Sequence, residues 1–151
     1  MIQKFVYLTR VYYFSAAHRL HSPKFSEEEN RRIFGNCSNF KGHGHNYILE
    51  VTVSGVPNSL TGMVCFYRDL DKIVEEKIIV PWDHRHLDEE VEDFKGKLST
   101  GEVIVRLVWD KLCICLEGVK LSKIKLWETS TSFFEYQESA SKTMLKLDNL
   151  I

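Results

Sequence analysis

The chain has 151 residues, of which 44% are hydrophobic, so it is long enough and apolar enough to bury one core. Its 20 basic and 21 acidic side chains give a formal net charge of −1, which favours neither nucleic acid nor an anionic membrane as a partner. These values exclude a disordered tail protein and predict one domain. The loose mixture of polar and apolar residues over 139–151 is interpreted as a C-terminal tail of unknown role, which leaves residues 1–138 as the domain. Because no apolar run reaches about 18 residues and the first residues lack a signal-peptide pattern, we expect a cytoplasmic protein.

The first half of the chain carries two strand patterns separated by a long polar segment. Residues 4–17 are rich in Phe, Tyr, Val and Thr and predict the first strand. Turn-forming residues over 22–42 predict a loop with one helical turn at about 26–33. Apolar and polar residues alternate from 43 to 54, which predicts a second strand with one apolar face.

The next segments carry helical patterns. Apolar residues three and four apart predict a helix over about 67–79, which Pro81 is expected to end. Ser99 and Glu102 have the spacing of a capping box and predict the start of a second, mostly buried helix.

Two short strands, 121–129 and 132–137, complete the pattern. The order β-β-α-α-β-β is typical of an α+β fold in which two helices cover one face of an antiparallel sheet.

The six histidines of the chain form three close pairs, and one pair has the spacing of a metal site. His43 and His45 lie two residues apart on a predicted strand, so their side chains point the same way. His18, on the same side of its strand as Phe14 and Ala16, can supply a third nitrogen if the two strands pair. Three imidazoles without a fourth protein ligand are typical of a catalytic zinc site. The alternative is local hydrogen bonding, but unpaired imidazoles on an apolar face are costly.

A cysteine and an Asp-His pair are further candidates for chemistry. Cys37 lies in a Gly- and Asn-rich loop six residues before His43, whereas the other three cysteines are interpreted as inert core residues. A thiol becomes a base or nucleophile when a nearby cation favours the thiolate. Asp83 can orient His84 for proton relay, although an Asp-His pair alone is not specific.

Glu128 is a carboxylate in an apolar position. The alternation of its strand places it with Ile124 and Leu126 rather than with the neighbouring lysines. Such a carboxylate usually pairs with N–H donors, and a bound ligand could supply them.

The segments that contain these residues resemble the 6-pyruvoyl tetrahydropterin synthase family. They read FSAAHRLHSPKFSEEENRRIFGNCSN, GHGHNY, TGMV, DHRHLDEEV and WET, and the similarity covers about residues 10–137. The separation of Cys37 from His43 is more similar to animal-type synthases than to bacterial 6-carboxytetrahydropterin synthases. The resemblance implies the tunnelling fold (T-fold), in which the sheets of three subunits join into a barrel and two trimers stack into a homohexamer.

The resemblance also implies a reaction and assigns roles to residues. The substrate would be 7,8-dihydroneopterin triphosphate, converted to 6-pyruvoyl tetrahydropterin with loss of triphosphate in tetrahydrobiopterin synthesis, with Mg²⁺ accompanying the triphosphate. The implied roles are Zn²⁺ ligation by His18, His43 and His45, catalysis by Cys37 with Asp83 and His84, and anchoring of the pterin ring by Glu128. The active site of this family lies between subunits, so the catalytic residues need not come from one chain. Alternatives are a related lyase that gives 6-carboxytetrahydropterin or cleaves the side chain, and a non-catalytic pterin-binding homologue.

Several positions depart from the family pattern. Gly101 and Val103 stand in the segment where the family reads STTEN, so we expect Thr100 to contact the pterin without its usual neighbour and binding to be weaker. His86 replaces an asparagine and, like His21, has no assigned role. Charge and position alone suggest three cations for the phosphates: Arg19, Lys24 and Lys41.

Overall fold

A computed structural model of the protein describes residues 4–116 and 118–138. Five strands form one sheet in the order β3-β1-β2-β4-β5. Their bounds are β1 (Val6–His18), β2 (His43–Gly55), β3 (Arg85–His86), β4 (Lys120–Thr129) and β5 (Ser132–Tyr136). The four long strands pair antiparallel, which confirms the predicted α+β sheet, whereas the two-residue β3 joins the outer edge of β1 in parallel. The predicted tail, residues 139–151, lies outside the described residues.

Five α-helical segments lie between the strands along the sequence. Their bounds are α1 (Glu27–Phe34), α2 (Tyr67–Val74), α3 (Val80–Trp82), α4 (Leu87–Glu90) and α5 (Gly101–Cys113). The helical turn predicted within the long loop is α1, which begins with a capping box formed by Ser26 and Glu29. In the part of the chain that the structure describes, no helix has the length and apolar character needed to cross a membrane.

The prediction that Pro81 ends the helix of residues 67–79 is wrong. A π turn (Glu75–Ile79) joins α2 to α3, and Pro81 lies inside α3. Proline has no N–H to donate and its ring crowds the preceding turn, and a wider π turn relieves both constraints. The backbone therefore continues to Asp83, whose N–H donates to the carbonyl of Ile79 at 2.8 Å.

The predicted capping box at the start of the last helix is also wrong. The N-cap of α5 is Thr100, and its side chain makes no capping hydrogen bond. Ser99 is fully buried, and its carbonyl accepts a hydrogen bond from His18 instead. The residue that the spacing assigned to the helix thus contacts the histidine cluster.

The core lies between the sheet and the helical layer of α2, α3 and α5. Alternate residues of β1 from Tyr12 to His18 are buried, as are Ile124 and Leu126 on β4. This alternation places His18 and Glu128 on the side of the sheet that faces the helices.

Candidate metal centre and active site

Three histidines meet where β1 ends and β2 begins. The antiparallel register places His18 opposite His43 and Ala16 opposite His45, so all three rings lie on the core side. One ring nitrogen of each histidine lies within 4.8 Å of the others. The Nε2 atoms of His18 and His43 are 3.0 Å apart. The long antiparallel pairing therefore builds a cluster of nitrogen donors.

The protonation of the cluster suits a metal ion. His18 Nδ1 lies 2.8 Å from the carbonyl oxygen of Ser99, which can only accept, so this nitrogen carries the proton and Nε2 presents a lone pair. Burial lowers the pKa of His18 to about 4. Burial and the neighbouring His45 also lower the pKa of His43. Neutral imidazoles are the form that binds metal, and a set of three fits Zn²⁺.

Aromatic side chains pack against the histidine cluster on the core side of β1 and β2. Tyr47, two residues after His45 on the same face of β2, is 1% exposed, and its ring centroid is 5.5 Å from that of His45. Phe14 stacks on Tyr47 with a centroid distance of 4.9 Å. Such packing holds the histidine-bearing strands in one arrangement.

Glu128 reaches the same cluster from β4. Its Oε1 lies 3.9 Å from Nε2 of His18 and 3.9 Å from Nε2 of His45. The side chain is 19% exposed, so the carboxylate is largely shielded from solvent.

The space beside Gly101, at the start of α5, is occupied by the side chain of Phe134 on β5. A Cβ atom added at Gly101 would lie 2.1 to 2.6 Å from atoms of the Phe134 ring, so that ring takes the space of the absent side chain. The neighbouring Thr100 is partly exposed. The Phe134 ring therefore occupies the space beside Thr100 in which a side chain at position 101 would lie.

Asp83 and His84 form a pair at the outer edge of β1. His84 Nδ1 lies 2.8 Å from Oδ2 of Asp83, while Oδ1 of Asp83 accepts a hydrogen bond from the N–H of Ser15 at 2.8 Å. The N–H of Ser15 and the His84 side chain hold the pKa of Asp83 below its usual value. His84 has a φ of 58° and a side chain 80% exposed. No hydrogen bond or ion pair within residues 4–116 and 118–138 joins this pair to the histidine cluster.

Cys37 lies in a short 3-10 turn (Gly35–Ser38) and is partly exposed. The carbonyl of Cys37 accepts a hydrogen bond from the N–H of Leu20 at 2.8 Å, and Arg19 Nε donates to the carbonyl of Ser38 at 2.8 Å. These bonds fasten the turn to the two residues that follow His18.

Three residues that support the candidate site are missing from the sequence-based prediction. The Ser99 carbonyl orients His18, the Ser15 backbone holds Asp83 and His84, and Oδ2 of Asp88 accepts from the N–H of Arg19 at 2.7 Å. The first two act through backbone atoms, which leave no side-chain signal in a sequence. Asp88 lies in the segment DHRHLDEEV, so a signal for this residue was present.

The three cations suggested for the phosphates differ in exposure and in the groups they contact. Arg19 is engaged within the loop, by the Ser38 carbonyl and the Phe40 ring, whereas Lys24 and Lys41 are exposed. Lys24 lines a cavity of about 770 Å³.

The two histidines without an assigned role differ in burial and pairing. His21 pairs with Glu27 at 3.0 Å. The Nδ1 of His86 is buried without a hydrogen-bond partner among the described residues and lies 3.9 Å from Oδ2 of Asp88.

Comparison with known proteins identifies the family. The family model described as 6-pyruvoyl tetrahydropterin synthase matches residues 7–139. The 6-pyruvoyl tetrahydrobiopterin synthase of Poecilia reticulata is 44% identical over 87% of this chain and 89% of its own length, and that of Homo sapiens is 44% identical over 82% and 86%. A 6-carboxy-5,6,7,8-tetrahydropterin synthase from Haemophilus influenzae is 32% identical over 69% of this chain and 86% of its own.

A solved structure agrees with these sequence matches. The 6-pyruvoyl tetrahydropterin synthase of Caenorhabditis elegans superimposes with a TM-score of 0.86 at 39% identity, covering 91% of this chain and 98% of that chain. The chain belongs to the 6-pyruvoyl tetrahydropterin synthase family.

Proposed function

We propose that the protein is a zinc-dependent 6-pyruvoyl tetrahydropterin synthase, a carbon–oxygen lyase that eliminates triphosphate from 7,8-dihydroneopterin triphosphate in tetrahydrobiopterin biosynthesis. The observation that carries this proposal is the three-histidine cluster at the end of β1, in a chain 44% identical to a named synthase.

The histidine cluster would hold the metal. His18, His43 and His45 would supply three neutral nitrogen donors to Zn²⁺. When bound, zinc would act as a Lewis acid toward the side-chain oxygens of the substrate. Mg²⁺ would accompany the triphosphate, because this ion is usually bound through substrate phosphates.

Cys37, Asp83 and His84 would move the protons. Cys37, as thiolate, would remove the carbon-bound proton of the substrate side chain. The carboxylate of Asp83 accepts a hydrogen bond from Nδ1 of His84. Nε2 of the exposed His84 ring would then be available for proton transfer. Asp83 would thus be a positioning residue for His84.

Glu128 and Thr100 would hold the pterin. The Glu128 carboxylate can accept two parallel hydrogen bonds from the aminopyrimidine edge, which fixes the distance from the ring to the reacting side chain. Thr100 would add a hydroxyl contact, and the Phe134 ring at Gly101 would present an apolar edge beside it.

The assembly would be a homohexamer of two trimers, with the T-fold domain of residues 1–138 as its unit. Two sheet edges support this proposal. Within the described part of the chain no strand pairs with the outer edge of β1 between Val6 and Phe14, and β5 has a neighbour on one side alone. Tyr7 and Tyr13 are 68% and 70% exposed on the face of β1 that points away from the core. The unpaired edge of β1 offers the backbone groups with which a strand of another subunit would pair. We further propose a cytoplasmic location and a small-molecule partner.

The test is a product assay with zinc-loaded protein, 7,8-dihydroneopterin triphosphate and Mg²⁺. We expect release of triphosphate together with 6-pyruvoyl tetrahydropterin, identified by chromatography. The similarity to a 6-carboxytetrahydropterin synthase favours one further candidate, a related lyase, which the same chromatogram would reveal by its different product. Binding of the pterin without triphosphate release would contradict both and indicate a non-catalytic homologue.

A further inference from the structure

The Glu128 carboxylate is placed toward the histidine cluster. Its Oε1 is 3.9 Å from Nε2 of His18 and 3.9 Å from Nε2 of His45. Across residues 4–116 and 118–138 no N–H or O–H group donates a hydrogen bond to this carboxylate. A carboxylate that is 19% exposed and lacks donors is costly unless a cation compensates it.

The atom facing Glu128 on His18 is an acceptor. The hydrogen bond from Nδ1 to the Ser99 carbonyl places the ring proton on the far side, so Nε2 of His18 presents a lone pair toward the carboxylate oxygen. Nε2 of His43 lies 3.0 Å from the same nitrogen. Several electron-pair donors therefore converge on a space that a cation would stabilise.

The distances suit one tetrahedral ion. With zinc bonds to nitrogen and oxygen of about 2.0–2.1 Å, neighbouring ligand atoms of a tetrahedral site lie about 3.4 Å apart. The separation of 3.0 Å between His18 and His43, and those of 3.9 Å from Glu128 to His18 and His45, lie on either side of that value.

We propose that Glu128 is the fourth metal ligand of the substrate-free protein, completing the site that His18, His43 and His45 begin. The inference rests on the zinc site of the proposed function and adds a second role to the residue proposed as pterin anchor. The two roles alternate, because a carboxylate bound to the ion cannot offer both oxygens to the pterin ring.

Cobalt substitution tests this inference without turnover, because the visible absorption of Co²⁺ reports its ligands. We compare the wild-type protein, Glu128→Gln and the control Glu135→Gln, whose carboxylate lies on the opposite sheet face near Lys123 at 3.2 Å. Glu128→Gln should alter the cobalt spectrum and raise the zinc dissociation constant about tenfold or more, measured by chelator competition, while Glu135→Gln should match the wild type.

The outcomes separate this inference from the proposed function. Wild-type protein that binds neither Co²⁺ nor Zn²⁺ would overturn both. A Glu128→Gln protein with an unchanged spectrum and unchanged zinc affinity, but with impaired triphosphate release, would overturn the fourth ligand and leave the synthase proposal standing. Circular dichroism of the metal-free proteins checks the fold, and Glu128→Asp, whose shorter side chain should also weaken metal binding, replaces the Gln variant if that variant does not fold.

Discussion

At the scale of single residues, His18 is the most constrained member of the histidine cluster. Its side chain is 1% exposed, and the Ser99 carbonyl fixes which ring nitrogen carries the proton. Five residues, 38–42, separate Cys37 from His43, yet we propose different roles for these two side chains. These differences lead to two predictions.

The first prediction separates metal binding from proton transfer. His43→Ala removes a proposed zinc ligand and should abolish both bound zinc and triphosphate release. Cys37→Ala leaves the donor nitrogens intact, so it should retain one zinc per chain and lose at least about 100-fold of turnover. Elemental analysis and the product assay on the same samples measure both. Zinc loss in Cys37→Ala would contradict a purely catalytic thiol.

The second prediction concerns pH in the metal-free protein. Burial holds the pKa of folded His18 at about 4, whereas the unfolded chain has the ordinary value of 6.5. Between these values the unfolded chain binds the proton and the folded protein does not, so stability decreases as the pH falls. The free energy of unfolding should drop by about 3 kcal/mol from pH 6.5 to 4 through this group.

The control for this pH effect is His18→Asn, which removes the titrating group. Urea unfolding of both metal-free proteins at several pH values gives the two slopes. The variant should lose less stability over the same interval, and an identical slope would show that His18 does not contribute.

The spacing of His43 and His45 and the strand alternation at His18 were sufficient to predict this cluster from the sequence. The residues that orient it were not predictable in the same way. Ser99 acts through its carbonyl, which every residue possesses, so its side chain indicated a helix cap instead.

At the scale of elements, the start of α5 depends on a contact with β5. Gly101 leaves room for the Phe134 ring, and any Cβ there would overlap ring atoms at 2.1 to 2.6 Å. Gly101→Ala should therefore destabilise the protein by about 1–3 kcal/mol, measured by denaturant unfolding.

A double-mutant cycle provides the control for Gly101. In a Phe134→Ala background the space is empty, so adding Gly101→Ala should cost little or increase stability. Equal costs in both backgrounds would show that the ring is not the cause.

The four long strands were predicted to within two residues at each end, because two-residue alternation is a local property that the sheet preserves. The helix ends were less predictable. Whether Pro81 ends a helix depends on the π turn before it, and no residue pattern of that turn distinguishes it from an ordinary helical turn.

At the scale of the whole molecule, the Asp83-His84 pair lies on the sheet edge where another subunit would join. The pair is fastened to Ser15 of β1, and the His84 ring is 80% exposed. The order of the sheet, with β3 beside Ala16 and Ala17, was not predictable, because a two-residue strand carries no periodic pattern.

If the site is shared between subunits, two inactive variants should complement each other. Cys37→Ala and His84→Ala should each lose turnover alone. After mixing, unfolding and refolding together, about a quarter of the sites in random hexamers would carry both intact residues, so about a quarter of wild-type activity should return. Activity that stays at the level of the separate variants would place both residues in one chain. Co-refolding each variant with itself is the control.

The position of this pair also implies that dilution affects two properties differently. The histidine cluster is built within one chain, from β1 and β2, whereas a pair at a sheet edge would need the neighbouring subunit to complete its site. Dissociation by mass action should then lower specific activity as the protein is diluted, while the zinc content per chain remains constant. Subunit association would thereby control catalysis without controlling metal retention.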